Sequence, residues 1–245
     1  MTTERPYVLI TGVSTGIGFD ATRYLIERGY HVLGSVRKAA DAERMQKEFP
    51  SHFTPLLFDV TDGAAIATAV EQVGKLVGKR GLAALVNNSG ISGTAPLMHV
   101  PMADVRQMFD VNVFGLLQVT QAFLPLLGAV KNCPHDPGRV INISSISGGL
   151  VFPFVGTYGA TKHAVEALTD GLRRELSIFG IEVIGIEPGN IKTPIWEKGS
   201  AADTRFAQTA YAEHMEKIPD LIAEMGRKGD PVETVSRAIH KAISA

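Results

Sequence analysis

The stretch that decides the fold is Thr11-Gly12-Val13-Ser14-Thr15-Gly16-Ile17-Gly18. It follows a β-rich run, Tyr7–Thr11, and leads into a run with helical spacing, Ile17–Arg28, that stops at Gly29. Glycines between a strand and a helix let backbone amides approach a pyrophosphate, and the amino end of the helix favours its charge. The spacing G-x-x-x-G-x-G differs from the general G-x-G-x-x-G fingerprint, so an ordinary strand-to-helix turn stays open as the alternative.

Outward from this loop, short apolar runs alternate with helical patterns along the whole chain. The alternation predicts a parallel sheet with helices on both faces, in one domain over residues 1–245. The predicted strands are Tyr7–Thr11, His31–Val36, Phe53–Phe58, Leu82–Val86, Arg139–Ser144 and Ile181–Ile186. The predicted helices are Ile17–Arg28, Ala40–Phe49, a helix from an Asp62 cap to about Gly78, Met102–Val130 as one broken or two consecutive helices, Tyr158–Phe179, Thr204–Glu224 and Val232–Ile243.

Composition excludes several classes of protein. The 245 residues carry 24 Lys+Arg against 25 Asp+Glu, which argues against a nucleic-acid binder that relies on a strong positive field. One cysteine, Cys133, and seven histidines without ligand spacing argue against a metal site. The uncharged stretches 111–130 and 140–161 are interrupted by polar residues and proline, so we expect no membrane span.

The expected location is the cytoplasm. A single cysteine fits a reducing compartment. The first residues, Met1–Pro6, lack the basic-then-apolar layout of a signal peptide.

The end of the second predicted strand indicates which nicotinamide cofactor the loop would take. It reads Ser35-Val36-Arg37-Lys38, and no carboxylate follows before Asp41. NAD-binding folds of this kind hold the ribose hydroxyls with an acidic residue about 20 residues further on, whereas a guanidinium can grip a 2′-phosphate. We therefore expect NADP(H) to be preferred over NAD(H), with two solvated surface cations as the alternative.

Tyr158 and Lys162 suggest acid–base chemistry, because four-residue spacing places both on one face of a helix. A neighbouring ammonium would lower the phenol pKa from its usual value of about 10, and the phenol could exchange a proton with a carbonyl or an alcohol. Alone, the pair could equally mark a half-solvated helix face. Ser144 and Ser145 close the fifth predicted strand, where ligands sit in open α/β sheets, and either could hydrogen-bond the reacting oxygen or form a turn.

Taken in order, these motifs resemble the classical short-chain dehydrogenase/reductase family over nearly the whole length. The resemblance implies a Rossmann-type, doubly wound sheet of six or seven strands, an NADP(H)-linked oxidoreductase, and a substrate loop at about residues 190–225. It also implies at least a homodimer, with a homotetramer as the alternative. The motifs are the loop 11–18, Asp59-Val60, Asn87-Asn88-Ser89-Gly90, Asn112, Ser145, Tyr158-x-x-x-Lys162, and Pro188-Gly189 followed by Thr193.

The resemblance implies a role for each matching residue. Tyr158 would be the general acid/base, and Lys162 would hold the nicotinamide ribose and lower the tyrosine pKa. Ser145 would polarise the carbonyl, and Asn112 would anchor a water relay from the lysine to solvent. Further expected roles are adenine contact for Asp59 and Val60, sheet support for Asn88, and carboxamide contact for Ile191 and Thr193.

The residues expected to bind the cofactor come from the glycine loop and from the ends of the strands beside it. The full expected cofactor set is Gly12, Ser14, Thr15, Gly16, Ile17, Gly18, Arg37, Asp59, Val60, Asn88, Ser89, Gly90, Tyr158, Lys162, Pro188, Gly189, Ile191 and Thr193.

Three functions fit these residues. They are an NADP(H)-dependent carbonyl reductase, an NAD-dependent alcohol or hydroxysteroid dehydrogenase on the same fold, and a non-catalytic nucleotide-sensing protein. The complete catalytic set argues against the sensor.

Apolar residues near the expected site predict a bulky apolar ketone, aldehyde or alcohol of steroid, retinoid or lipid kind. Packing within the core or an interface is the alternative. These residues are Leu150–Val155, Ile195, Trp196, Phe206 and Met215.

Overall fold

The centre of the molecule is a six-stranded parallel sheet with strand order β3-β2-β1-β4-β5-β6. The computed structural model describes residues 4–194 and 203–245. The predicted doubly wound sheet is thereby confirmed, with six strands in the described part of the chain. The strands are β1 Tyr7–Ile10, β2 His31–Val36, β3 Phe53–Leu57, β4 Ala84–Asn87, β5 Arg139–Ile143 and β6 Glu182–Ile186.

Helices cover both faces of this sheet. Val8 and Ile10 of β1 point into one fully buried cluster and Leu9 points into the other, as the alternation of side chains along a strand requires. The α-helices are α1 Gly16–Glu27, α2 Ala39–Glu48, α3 Gly63–Val77, α4 Met102–Phe109, α5 Leu116–Phe123, α6 Gly156–Glu175, α7 Ala212–Lys228 and α8 Glu233–Ser244.

Local sequence signals explain most helix boundaries. The Asp62 carboxylate accepts hydrogen bonds from the amides of Ala64 and Ala65, both at 3.0 Å, and so caps α3 as predicted. The ends of most other elements differ from prediction by one or two residues, which is the usual uncertainty at fraying helix and strand ends.

The helical stretch 102–127 is interrupted, as predicted, and the interruption is a π-helical turn, which is wider than an α-helical turn. A π-helical segment, Asp110–Gly115, separates α4 from α5 and contains Asn112 near its middle. By length and composition this stretch could cross a membrane, a test that core helices also pass. Val119 and Phe123 of α5 are fully buried against the sheet, as in a core helix.

The predicted helix Thr204–Glu224 is wrong in its first half. A short 3₁₀ turn, Thr204–Phe206, is followed by turns, and α7 begins only at Ala212. The Thr209 hydroxyl donates to the Phe206 carbonyl and accepts from the Tyr211 amide, and such local bonds compete with a helix. Phe206 is thereby turned inward, where it forms a small third cluster with Met215, Ile218 and Ile222 of α7.

Candidate active site

The glycine loop after β1 is shaped by close backbone contacts. Gly12 and Gly16 have φ of +70° and +60°, values that favour glycine. A Cβ atom at Gly12 would lie 2.7 Å from the Ser89 Oγ, and one at Gly18 would lie 2.3 Å from the Gly12 carbonyl oxygen. The loop therefore leaves no room for side chains at Gly12 and Gly18.

Neighbouring strands hold the loop through side chains. The Asn88 side-chain amide donates to the carbonyl oxygens of Thr11 and Gly12, at 2.8 and 3.0 Å. The Thr11 hydroxyl accepts from the amides of Asn88 and Ser89, each at 2.9 Å. The buried Ser35 hydroxyl accepts from the Gly12 amide at 3.0 Å, a role that sequence analysis missed because a serine inside an apolar strand carries no motif.

These residues fit a dinucleotide phosphate. Helix α1 begins at Gly16, Thr15 makes no side-chain cap, and the first turn holds no acidic residue, so the positive end of the helix is available to an anion. Arg37 follows β2 and is 66% exposed, and its only recorded ion pair in the described chain is a loose one, at 3.8 Å, to Asp59. A second cation, Arg44 of α2, donates to the Ser14 carbonyl oxygen at 2.6 Å and was not foreseen.

The remaining expected cofactor residues border the same edge of the sheet. A Cβ at Gly16 would lie 3.5 Å from Thr193, which brings the segment after β6 against the glycine loop. The Pro188 carbonyl accepts from the Ile146 amide at 3.1 Å, and Ile191 bridges to Asp230.

Behind the loop, Val60 is buried and lies against Gly115, where a Cβ would be 2.7 Å from the valine side chain. The Asp59 carboxylate accepts from the amide and hydroxyl of Thr61, at 3.0 and 2.8 Å. Gly90 lies beside Asn112, since a Cβ there would be 3.4 Å from Asn112 Oδ1. Ile17, near the start of α1, packs against the core cluster that contains Val8 and Ile10 of β1. Gly189 follows Pro188 in the segment after β6.

Asn112 ties three elements together. Its Oδ1 accepts from the Ile91 amide at 2.8 Å, and its Nδ2 donates to the Ile91 carbonyl at 2.8 Å and to the Thr161 hydroxyl at 3.1 Å. Thr161 in turn donates to the Tyr158 carbonyl at 2.7 Å. The asparagine side chain thus joins the loop after β4 to the first turn of α6, and sequence analysis did not find the link through Thr161.

Tyr158, Lys162 and Ser145 meet at the carboxyl end of β5. Tyr158 and Lys162 lie on α6, and the Lys162 Nζ is 5.7 Å from the centre of the tyrosine ring. This nitrogen is buried and donates to the Ile143 carbonyl oxygen at 2.9 Å. Ser145 hydrogen-bonds Tyr158, and its hydroxyl also accepts from the Ser147 amide at 3.1 Å. A carbonyl substrate at this point could receive a proton and a hydrogen bond together.

Burial is the main influence on the pKa values of Tyr158 and Lys162. Burial raises the pKa of Tyr158 above its usual value, while the hydrogen bond from Ser145 opposes that rise. Burial also lowers the pKa of Lys162 to about 8, while the nearby Glu166 carboxylate opposes that fall. Loss of hydration is thus the largest influence on both groups and shifts each of them toward its uncharged form.

Among the apolar residues expected near the substrate, some are exposed and others are buried. Leu150, Val151 and Phe152 are exposed just before α6. Phe206 and Met215 are buried in the third cluster, so they pack on each other as the alternative interpretation held. Ile195 and Trp196 lie outside the described residues.

Comparison with known sequences yields a consistent set of matches. A sequence model of the short chain dehydrogenase family matches residues 6–204. The NADPH-dependent 3-dehydrocapnine reductase of Ornithobacterium rhinotracheale is 44% identical over 98% of this chain and 84% of that protein. Retinol dehydrogenase 16 of Mus musculus is 40% identical over 77% of this chain. The aligned part spans only 58% of the mouse protein.

A solved structure also resembles this chain in its fold. The structure of ElxO with NADP bound superposes with a TM-score of 0.80 at 28% identity, covering 98% of this chain and 91% of that one.

Proposed function

Because this chain belongs to the short-chain dehydrogenase/reductase family, we propose that it is an NADPH-dependent reductase of a ketone or aldehyde on a bulky apolar substrate. The observation that carries the proposal is the meeting of Tyr158, Lys162 and Ser145 at the carboxyl end of β5, where open α/β sheets bind ligands. A non-catalytic sensor would have no need of a buried lysine beside a tyrosine, since burying a charge is costly.

Each catalytic side chain has a separate task. The Ser145 hydroxyl donates a hydrogen bond to the substrate carbonyl and polarises it. The Tyr158 phenol gives its proton to the same oxygen, which becomes the hydroxyl of the product. A phenol, with an ordinary pKa of about 10, carries its proton at neutral pH, and burial of Tyr158 acts in the same direction. The Lys162 ammonium favours the phenolate left behind until it regains a proton.

The glycine loop and the end of β2 would hold the cofactor. The amides of α1 would meet the pyrophosphate, Arg37 would meet the 2′-phosphate, and Lys162 would meet the nicotinamide ribose. When bound, NADPH supplies the hydride that the carbonyl carbon gains. The preference for NADP(H) agrees with the relatives, since the Ornithobacterium enzyme is NADPH-dependent and ElxO is seen with NADP.

The substrate class is supported by the chain leading into α6. Leu150, Val151 and Phe152 present exposed apolar side chains within a few residues of Tyr158, and ligand sites are mostly apolar with few polar groups. Small polar substrates would gain little from such a surface.

A second candidate is the reverse reaction, oxidation of the matching secondary alcohol, which the same residues can perform. The similarity to retinol dehydrogenase 16 favours it. NAD(H) as the cofactor is the further alternative, although the residues at the end of β2 argue against it.

We also propose a cytoplasmic homodimer. The single cysteine supports the compartment. The exposed ring of Phe114, at the end of the π-helical segment, supports a second subunit.

An assay with a panel of ketones, aldehydes and alcohols tests the proposal. Each compound is incubated with NADPH or NADH, or with the oxidised forms, and the absorbance of the reduced cofactor is followed. We expect the highest kcat/KM for a bulky apolar carbonyl with NADPH. Turnover of small polar hydroxy compounds alone would contradict the substrate class, and no turnover of any compound would contradict the enzymatic function.

A further inference from the structure

Glu166 is a partly buried acidic residue that the proposed mechanism does not use. It lies four residues after Lys162, so the two side chains leave α6 from the same face, one turn apart. Its Oε1 is buried and has no hydrogen-bond partner among the described residues. A carboxylate oxygen without a partner is costly to bury, and some other interaction must offset that cost.

Two glycines from other elements make room for this carboxylate. A Cβ at Gly148, in the turn after β5, would lie 2.9 Å from Glu166 Cγ and 3.2 Å from Oε1. A Cβ at Gly185 in β6 would lie 3.4 Å from Oε2. The Ser144 hydroxyl, also buried and without a partner in the described chain, would lie 3.1 Å from the same Gly148 position. The Oε1 side of the carboxylate therefore faces the turn after β5 and strand β6, while Glu166 as a whole is only partly buried.

Lys162 is the cation that this carboxylate can stabilise. The groups around the lysine nitrogen are the Tyr158 ring on its own helix and the Ile143 carbonyl from β5. Asn112 of the π-helical segment, which carries no charge, bonds to Thr161, the residue before Lys162 in the chain. Burial lowers the pKa of Lys162 to about 8, and among the described residues Glu166 is the one charge found to raise it.

We propose that Glu166 is a positioning residue whose carboxylate keeps the buried Lys162 ammonium charged, and so maintains the cation beside Tyr158 during the reaction. This inference rests on the proposed function for its kinetic consequence only. The electrostatic part concerns two side chains of the folded protein and stands without substrate or cofactor.

The test compares Glu166→Gln with the wild type, since glutamine keeps the shape and removes the charge. Removing the one charge found to raise the pKa of Lys162 should move the Lys162 titration lower by roughly one unit. It is measured without cofactor, by NMR of protein carrying ¹³Cε-labelled lysine, with the Lys162 signal assigned from its loss in Lys162→Arg. In the assay, the fall of kcat for reduction above about pH 8 should begin at correspondingly lower pH.

Two further variants separate charge from structure. Asp170→Asn removes a carboxylate one turn further along α6, where Asp170 is exposed and pairs with Arg173, and it should leave both profiles unchanged. Glu166→Asp keeps the charge and should restore most of the shift. An unshifted Lys162 titration in Glu166→Gln would overturn the inference, even if the variant were less stable. If the wild type reduces no carbonyl compound, the proposed function fails, and the NMR titration still decides the role of Glu166.

Discussion

The side-chain nitrogen of Lys162 lies 5.7 Å from the centre of the Tyr158 ring, on the next turn of the same helix. Both side chains are largely withdrawn from water, which raises the pKa of the phenol and lowers that of the ammonium. Each group is therefore biased toward its uncharged form.

Tyr158→Phe should keep the fold and cofactor binding but lose most of the turnover. The ring stays while the proton donor is removed, and general acid catalysis typically contributes about 10²–10⁴-fold in rate. Steady-state kcat with the best carbonyl substrate measures the loss, and NADPH titration by fluorescence checks binding. Tyr211→Phe, which removes a hydroxyl outside the pair, should retain its rate. A near wild-type kcat for Tyr158→Phe would exclude the assigned role.

The free energy of unfolding should depend on the protonation of Lys162 at alkaline pH. Its pKa is about 8 in the folded state against 10.5 ordinarily, so the unfolded chain binds more protons between these values. The contribution of Lys162 to the free energy of unfolding is therefore full above 10.5 and is lost as pH falls through 8.

Lys162→Met removes this titration. The unfolding free energy of the wild type minus that of the variant should rise by about 3 kcal/mol between pH 7 and pH 11. Urea denaturation at both pH values measures the difference. A difference that is independent of pH would mean that the folded and unfolded pKa values of Lys162 are equal.

Arg37 should decide the cofactor preference. Charge-assisted hydrogen bonds are worth roughly 1.5–3 kcal/mol, so the wild type should favour NADPH over NADH by about ten- to a hundredfold in kcat/KM. The double variant Val36→Asp, Arg37→Ala should swing that ratio toward NADH. Lys79→Ala, an exposed cation beyond α3, is the matched control. Equal kcat/KM of the wild type for the two cofactors would reduce Arg37 to a solvated surface residue.

Gly148 and Glu166 should be coupled in stability. Gly148→Ala places a methyl group 2.9 Å from Glu166 Cγ, and overpacking of this kind costs about 1–3 kcal/mol. In the background of Glu166→Ala the same substitution should cost much less, because the colliding side chain is gone. Chemical denaturation of the four proteins gives the coupling energy. Additive effects would show that the methyl group is accommodated elsewhere.

Phe114 should hold the proposed dimer together. Its ring is 58% exposed and contacts Phe109 at 6.5 Å between ring centres, so the two rings form a small apolar surface. Light scattering at micromolar concentration should give a dimer for the wild type and a smaller mass for Phe114→Lys. Leu57→Lys, which changes an equally exposed side chain at the end of β3, should remain dimeric. A monomeric wild type would rule out the dimer.

Much of the fold was predictable because its signals are local. The Asp62 cap, the glycine loop and the alternation of strands and helices depend on a few adjacent residues, and all three are present as expected. The start of α7 was not predictable in the same way. Thr209 bonds to the backbone around it and Phe206 turns toward α7, and no periodicity in the sequence shows either event.

The candidate site was predictable in its members but not in its electrostatics. Tyr158, Lys162 and Ser145 stand together, yet the direction of the tyrosine pKa depends on burial, which the sequence does not display. Glu166 escaped notice for a related reason. A single carboxylate on a helix is usually solvated, and the contacts of this one with the Gly148 and Gly185 positions, in two other elements, appear only in the folded structure.

The π-helical segment Asp110–Gly115 has a consequence for how the chain can change in evolution. A π turn holds one residue more than an α turn, so deleting one residue from this segment would restore a regular helix while α4 and α5 kept nearly the same orientation. Val119 and Phe123 would still face the core, whereas Asn112, near the middle of the wide turn, would lose its place beside Thr161. The extra residue therefore serves the position of Asn112 more than the packing of α5, and a chain without it could keep its core and lose these hydrogen bonds.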